Sequence, residues 1–246
     1  MKLLIDIGNT TTSVGLWKNS QLHMTDCSSN NKLFFTIKKY LKKEIDEIFF
    51  TSVISAKENK LIKNRLKKIY KCGIKQIKSS SSMLGVTNGY AQPKKLGDDR
   101  WVTIVASALL YRKPLMIVDC GTAISIDMVN TRRVHLGGYI LGGFDSYSKA
   151  FKNAYHLKNI RIKEDAVLQK KHFPNKTEDG LTEGYLLMVI SAIENTYNQI
   201  KKNQKTPPQL LISGGYGKII SKRLSIKNKY EPDLVLKSIG LIANNL

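Results

Sequence analysis

The same short pattern stands twice in this chain, half a chain apart. Near the start, Leu3-Leu4-Ile5-Asp6-Ile7-Gly8-Asn9-Thr10-Thr11-Thr12-Ser13 runs apolar residues into one carboxylate, then into glycine and small polar residues, before an alternating apolar run at Val14 and Leu16. Leu115-Met116-Ile117-Val118-Asp119-Cys120-Gly121-Thr122-Ala123-Ile124-Ser125-Ile126-Asp127 repeats it. Each copy reads as a β-hairpin with a polar tip. A related turn, Leu210-Leu211-Ile212-Ser213-Gly214-Gly215, ends another apolar strand in two glycines. Such a repeat asks for two similar α/β halves facing each other across a cleft. We expect them over residues 1–114 and 115–246, with the last apolar helix, about 232–246, packing back towards the first half.

Tips of this composition suit a phosphate chain. Gly8 lets the backbone approach closely, and Thr10, Thr11, Thr12 and Ser13 add hydroxyl donors. Asp6, at the strand end, can hold Mg²⁺ against phosphates directly or through water. Any tight hairpin can also carry Gly-Asn and threonines, so one copy alone leaves a structural role open. A pair of Asp-x-Gly tips, both at strand ends, favours a ligand.

A chain of 246 residues, 42% hydrophobic and 24% charged, has enough apolar sequence for two cores. It contains no long uncharged apolar run, and Met1-Lys2 leads directly into the Asp6 strand rather than a cleavable signal, so we expect a cytoplasmic protein without a membrane partner. Cys27, Cys72 and Cys120 are too scattered for a disulfide framework, and His23, His135, His156 and His172 show no zinc-ligand spacing. The net charge of +21 invites a nucleic-acid hypothesis. Its lysines, however, spread over many segments, among them Lys38, Lys39, Lys42 and Lys43, then Lys63, Lys67, Lys68 and Lys71, then Lys201, Lys202 and Lys205. Without an arginine-rich arm or an aromatic RNA-binding signature, they read as solvated faces, and no specific nucleic acid is expected.

Periodicity predicts helices over Leu33–Glu47, Lys57–Tyr70, from Asp98 past Leu109, Ser146–Tyr155, Leu181–Lys201 and Pro232–Asn244. Strands are expected at Gln21–Met24, Glu47–Ser55, Ile74–Ile77, Leu115–Asp119 and Leu210–Ser213, and His156–Pro174 is read as irregular. The Pro and Gly punctuation between Val86 and Gly97 marks a loop exposing Tyr90. Asp98-Asp99-Arg100 then opens a helix. Asp98 suits an N-cap, but two aspartates and an arginine exceed what capping requires. The glycine-dense Val134–Gly143 stretch fits a backbone in close approach to a neighbour or ligand.

The duplicated phosphate-type tips resemble the actin, hexokinase and Hsp70 superfamily, implying a duplicated actin-like ATPase fold with ribonuclease H-like halves. The ordered set of motifs is similar to the type III pantothenate kinases, the family that includes the Bvg accessory factor proteins. It comprises Asp6-Ile7-Gly8-Asn9-Thr10, Thr51-Ser52-Val53, Gly97-Asp98-Asp99-Arg100, Asp119-Cys120-Gly121-Thr122-Ala123, Gly137-Gly138-Tyr139-Ile140, Asn175-Lys176-Thr177, Ser213-Gly214-Gly215 and Asp233-Leu234-Val235-Leu236. The resemblance implies ATP-dependent phosphorylation of pantothenate to 4′-phosphopantothenate, the first step towards coenzyme A, by a homodimer. It assigns Asp6, Ile7, Gly8, Asn9, Thr10, Thr11, Thr12, Ser13 and Thr122 to ATP. Asp119 falls to a monovalent cation, K⁺ or NH₄⁺, and Tyr90, Gly97, Asp98, Asp99, Arg100 and Thr177 to pantothenate, with Asp99 as catalytic base.

The chemistry agrees. A primary alcohol must lose its proton as it attacks the γ-phosphorus, a carboxylate can accept it, and Arg100 can face a substrate carboxylate or phosphoryl oxygens. Three departures from the family pattern stand out: Asp98 for alanine, Gly142 for proline and Ile124-Ser125 for Thr-Thr. Asp98 adds a charge beside the base, which can raise the pKa of Asp99 or weaken binding of a substrate carboxylate. The rival reading is a regulatory or nucleic-acid-associated protein that keeps the fold with little kinase activity. Three separated carboxylates at ligand tips, Asp6, Asp99 and Asp119, favour the enzyme.

Overall fold

The structure, a computed structural model, describes residues 1–41, 43–151, 173–203 and 206–246. They form two compact units. The first comprises Met1–Arg112, Val129–Gly137 and Asp233–Leu246, the second Lys113–Met128 and Gly138–Pro232.

The first unit opens with β1 (Lys2–Ile7), β2 (Thr11–Lys18) and β3 (Gln21–Ser29), paired antiparallel in sequence. After α1 (Leu33–Lys38), β4 (Glu47–Ser52) lies parallel to β1; after α2 (Ala56–Ile69), β5 (Gly73–Gln76) lies parallel to β4. The order is β3-β2-β1-β4-β5. Alternation along β1 puts Leu3, Ile5 and Ile7 in one core with Ile48, Phe50, Leu33, Ile37 and Leu66. A small ribbon, β6 (Ser82–Met83) and β7 (Val86–Thr87), precedes α3 (Asp98–Leu110). A full capping box opens α2, Ser55 and Glu58 each bonding the other's backbone.

The second unit repeats the arrangement with β8 (Leu115–Cys120), β9 (Ala123–Val129), β10 (His135–Gly142), α4 (Phe144–Ala150), α5 (Thr177–Asn203), β11 (Gln209–Ser213), α6 (Gly217–Ser221) and β12 (Lys229–Tyr230), except that Val129 of β9 and His135–Gly137 of β10 group with the first. Its order is β10-β9-β8-β11-β12, with β8, β11 and β12 parallel, so each strand has its counterpart in the first sheet. Met116, Val118 and Cys120 pack with Leu210, Ile212, Tyr185 and Val189, as their counterparts do around Ile5. The closing helix α7 (Leu234–Ala243) belongs to the first unit, where Trp17 donates to Asn244 Oδ1 at 3.0 Å. Gly240 is required there, since a Cβ would stand 2.4 Å from the Trp17 ring.

Several elements differ from the periodicity reading. The helix expected to run to Glu47 stops at Lys38 because Tyr40, fully buried, turns inward. Its hydroxyl bonds Asp26 Oδ2 at 2.8 Å, while Lys39 pairs with the same carboxylate and holds its pKa down. The strand expected at Gln21–Met24 continues to Ser29, and α5 starts a turn early at Thr177, where Gly180 N closes onto Lys176 O. The Val134–Gly143 stretch is mostly β10, and its close approaches are real: a Cβ on Gly138 would lie 2.0 Å from Ile126 O. Elements α6 and β12 are too short to show a periodicity. Residues 152–155 of the expected Ser146–Tyr155 helix, the irregular stretch up to 172 with His156 and His172, and Lys42 and Lys205 lie outside the described residues.

Candidate functional site

In the first unit, Asp6 is the penultimate residue of β1. Register sets it beside Ser13 of β2 and Thr51 of β4, so three oxygen-bearing side chains share one sheet face. Thr51 Oγ1 is buried and has no hydrogen-bond partner among the described residues. Ile7 faces the opposite core, so it reaches the tip only through its backbone. Asn9, Thr10 and Thr11 are exposed at the turn, which closes through Gly8 N to Thr11 O at 2.9 Å. Gly8 has little room for a side chain, since a Cβ would meet Thr11 O at 3.1 Å.

Asn30 fixes this tip through contacts that no local pattern announces. Its Nδ2 donates to Gly8 O at 2.9 Å and Asn9 O at 3.2 Å, its Oδ1 accepts from Thr12 Oγ1 at 2.8 Å, and its N–H reaches Thr10 O at 3.2 Å. No spacing rule could pair residues so far apart in an unpatterned polar turn.

The Gly97–Arg100 segment stands at the same end of the sheet. A Cβ on Gly97 would lie 3.6 Å from Val53 Cγ1, and Val53, just past β4, bonds Ile7 O at 3.1 Å. That Cβ would also fall 2.6 Å from Asp99 Oδ1, so glycine makes room for the carboxylate. Asp99 Oδ1 accepts the Arg100 N–H at 2.7 Å in the first turn of α3. Arg100 Nη1 donates to Tyr90 Oη at 3.0 Å, with the guanidinium 5.6 Å from the Tyr90 ring centroid.

Asp98 does something else. Gly97 is the N-cap and Asp98 the first helical residue, with Oδ1 accepting the Ser79 N–H at 2.8 Å. Ser79 donates in turn to Pro93 O at 2.8 Å, and Asn88 Nδ2 bonds Ser79 Oγ and Ser80 O, both at 3.1 Å. Asp98 thus ties down the loop that carries Tyr90. Burial pushes its carboxyl pKa up, with the Asp99 charge adding to the rise and Ser79 N and Lys78 opposing it. A raised carboxyl favours the fold when protonated, and that advantage is lost as pH rises through the folded pKa. Asp98→Asn, which keeps the acceptor without the charge, is therefore expected to melt at a higher temperature than wild type at pH 7. The gap should close below the ordinary value of 3.8, as read by thermal melts across pH.

In the second unit, Asp119 takes the place Asp6 holds in the first, and Ser213 of β11 is its register partner as Thr51 is for Asp6. Gly121 N closes the turn onto Ala123 O at 3.0 Å, and Thr122 is exposed at its tip. Thr122 O accepts Gly143 N at 3.2 Å, and a Cβ on Gly143 would stand 2.5 Å from that oxygen. Thr177 is exposed at the start of α5. Cys120 is buried, which pushes its thiol pKa far up and fits a structural role.

The sequence model of the type III pantothenate kinases matches residues 2–199. The type III pantothenate kinase of Pseudoalteromonas translucida is 31% identical over 249 residues, covering 98% of this chain and 95% of the relative. The chain belongs to the type III pantothenate kinase family. The family's enzyme from a Sulfurihydrogenibium species is 28% identical, with 97% and 98% covered. Among solved structures, a Baf family protein from Campylobacter jejuni superposes with TM-score 0.61 at 22% identity, over 99% of this chain and 98% of that one. The (R)-2-hydroxyglutaryl-CoA dehydratase component A of Acidaminococcus fermentans gives 0.55 at 11%, over 98% and 96%. These likenesses carry the fold, the duplicated actin-like ATPase architecture that both sheet orders display.

Two of the departures from the type III pantothenate kinase pattern are explained locally. Ile124 is core in the second unit, packed among Val118, Phe144 and Tyr185. Among the described residues Gly142 has no atom within 4 Å of where a Cβ would stand, so they leave room for a side chain there; its carbonyl accepts Tyr185 Oη at 3.1 Å.

Proposed function

We propose that Asp99 is the base in the reaction of the family, ATP-dependent phosphorylation of pantothenate in coenzyme A biosynthesis. The hydroxyl oxygen of pantothenate bonds to the γ-phosphorus, the bond from that phosphorus to ADP breaks, and the hydroxyl proton passes to the Asp99 carboxylate. The observation carrying this reading is the carboxylate fitted against the bare Gly97, at the end of the sheet that also bears the Asp6 tip. Arg100, held by Tyr90, supplies positive charge for the substrate carboxylate or the transferring phosphoryl group.

Asp6, Ile7, Gly8, Asn9, Thr10, Thr11, Thr12, Ser13 and Thr122 are assigned to ATP, and Tyr90, Gly97, Arg100 and Thr177 to pantothenate. Asp98 acts on pantothenate through the loop it anchors. Carboxylate and hydroxyl oxygens are hard donors, and the orphaned Thr51 Oγ1 beside Asp6 fits a site for Mg²⁺ or its water. Asp119 with Ser213 offers the same chemistry to K⁺ or NH₄⁺. Mg²⁺ would neutralise phosphate charge. Tyr139 and Ile140 on β10 and Leu187 and Met188 on α5 are 50%, 63%, 60% and 45% exposed, large apolar side chains of the second unit that a homodimer contact would cover. Among the described residues no helix is long and apolar enough to cross a membrane, and we place the enzyme in the cytoplasm.

Purified protein with Mg-ATP is expected to form ADP only when pantothenate is present, faster in K⁺ than in Na⁺. A coupled ADP assay checks this. Equal ADP release without pantothenate would overturn the reading.

A further inference from the structure

We propose that His135 is a positioning residue for pantothenate, setting the orientation of Tyr90 and, through it, of Arg100. The inference rests on the assignment of Tyr90 and Arg100 to the substrate. His135 lies in the Val129–Gly137 segment, whose flanks in the chain belong to the second unit while it packs in the first. The imidazole is fully buried and stacks on Tyr90, with centroids 5.7 Å apart and planes at 21°. At the far end of the same side chain, Arg100 Nη1 donates to the Tyr90 hydroxyl at 3.0 Å. Tyr90 thus has its ring set by His135 and its hydroxyl engaged by Arg100.

The backbone holds the two rings in register independently of the side chains. A Cβ on Gly89, the residue before Tyr90, would fall 1.9 Å from His135 O, so the loop lies directly on the His135 peptide. Thr87 N bonds Arg133 O at 3.0 Å, and Thr87 and Val134 form a parallel bridge. Asn130 stiffens the supporting turn, its Oδ1 accepting Arg132 N at 2.9 Å and Val134 N at 3.0 Å. Tyr90 N in turn reaches Asn88 Oδ1 at 3.0 Å. With the loop so anchored, the remaining freedom of Tyr90 is rotation of its own side chain, and the flat face of His135 limits it.

Steady-state kinetics on the full chain test the idea, with pantothenate and ATP varied separately. Removing an aromatic neighbour should cost about 3- to 10-fold in orientation. His135→Ala is therefore expected to raise KM for pantothenate by that factor, with kcat and KM for ATP changed less than about twofold. His135→Phe restores a stacking face and should return KM for pantothenate towards wild type. In a Tyr90→Ala background, His135→Ala should add nothing further. If Tyr90→Ala raises KM for pantothenate while His135→Ala does not, the positioning role is wrong although the substrate assignment stands. If Tyr90→Ala leaves KM unchanged, the substrate assignment falls and this inference with it. Should His135→Ala raise both KM values together, or His135→Phe fail to recover, His135 is packing rather than positioning.

Discussion

Asp99→Asn is expected to lower kcat by about 10²- to 10⁴-fold, the range a positioned general base contributes, while the dissociation constant for ATP stays within about twofold. The substitution is nearly isosteric. An asparagine Oδ1 can keep the bond from Arg100 N–H, and the pocket left by Gly97 admits it, so the first turn of α3 should hold. What is lost is the capacity to accept a proton from the attacking hydroxyl. Single-turnover phosphorylation and nucleotide titration measure the two quantities separately. A variant that keeps wild-type kcat would remove Asp99 from the chemistry and leave it as a helix-terminal charge. Gly97→Ala offers a cross-check on the same geometry: a Cβ at that position would displace the carboxylate, so kcat should fall without any loss of the acid itself.

The sequence disclosed the parts of this site built from local pattern and hid those built from contact. Asp6, Gly8 and Asp119 sit where an apolar run stops, and a carboxylate ending a strand is visible without coordinates. The deeper correspondence, Thr51 beside Asp6 and Ser213 beside Asp119, depends on parallel pairing between strands far apart in the chain, which no window of residues contains. Asn30 is hidden for the same reason, a residue of an ordinary polar turn whose importance lies entirely in the four bonds it makes to Gly8, Asn9, Thr10 and Thr12. Asp98 suits a cap, and the resemblance assigns it to pantothenate; its bond from Ser79 N–H depends on a loop contact that no local pattern shows, so the adjacent carboxylates Asp98 and Asp99 serve the loop and the helix start respectively. Periodicity overstates helix length where one side chain overrides it, as Tyr40 does at the end of α1.

Gly214→Ala is expected to destabilise the second unit strongly, because strain and crowding act together there. Gly214 has φ of +86°, and a Cβ there would stand 2.5 to 2.6 Å from the N, C and O of Cys120. Left-handed backbone costs a residue bearing a Cβ roughly 1–2 kcal/mol. Overpacking adds about 1–3 kcal/mol, more when the obstacle is backbone rather than a side chain that can swing away. A total of about 2–5 kcal/mol corresponds to a fall in Tm of roughly 5–15 °C for a chain of this size. The injury also reaches function. Cys120 O accepts Tyr216 N at 3.2 Å, and the strand that Gly214 terminates places Ser213 beside Asp119, so widening this turn pulls apart the oxygen pair assigned to the monovalent cation. Activation by K⁺ should weaken in the surviving folded fraction. Gly142→Ala is the matched control, with no described residue near its Cβ and a change within about 0.5 kcal/mol expected. Differential scanning calorimetry of both variants decides the point. Equal melting of Gly214→Ala and Gly142→Ala would mean that the glycine turn does not close on β8 as described, and the equivalence of Asp6 and Asp119 would lose its support in the second sheet.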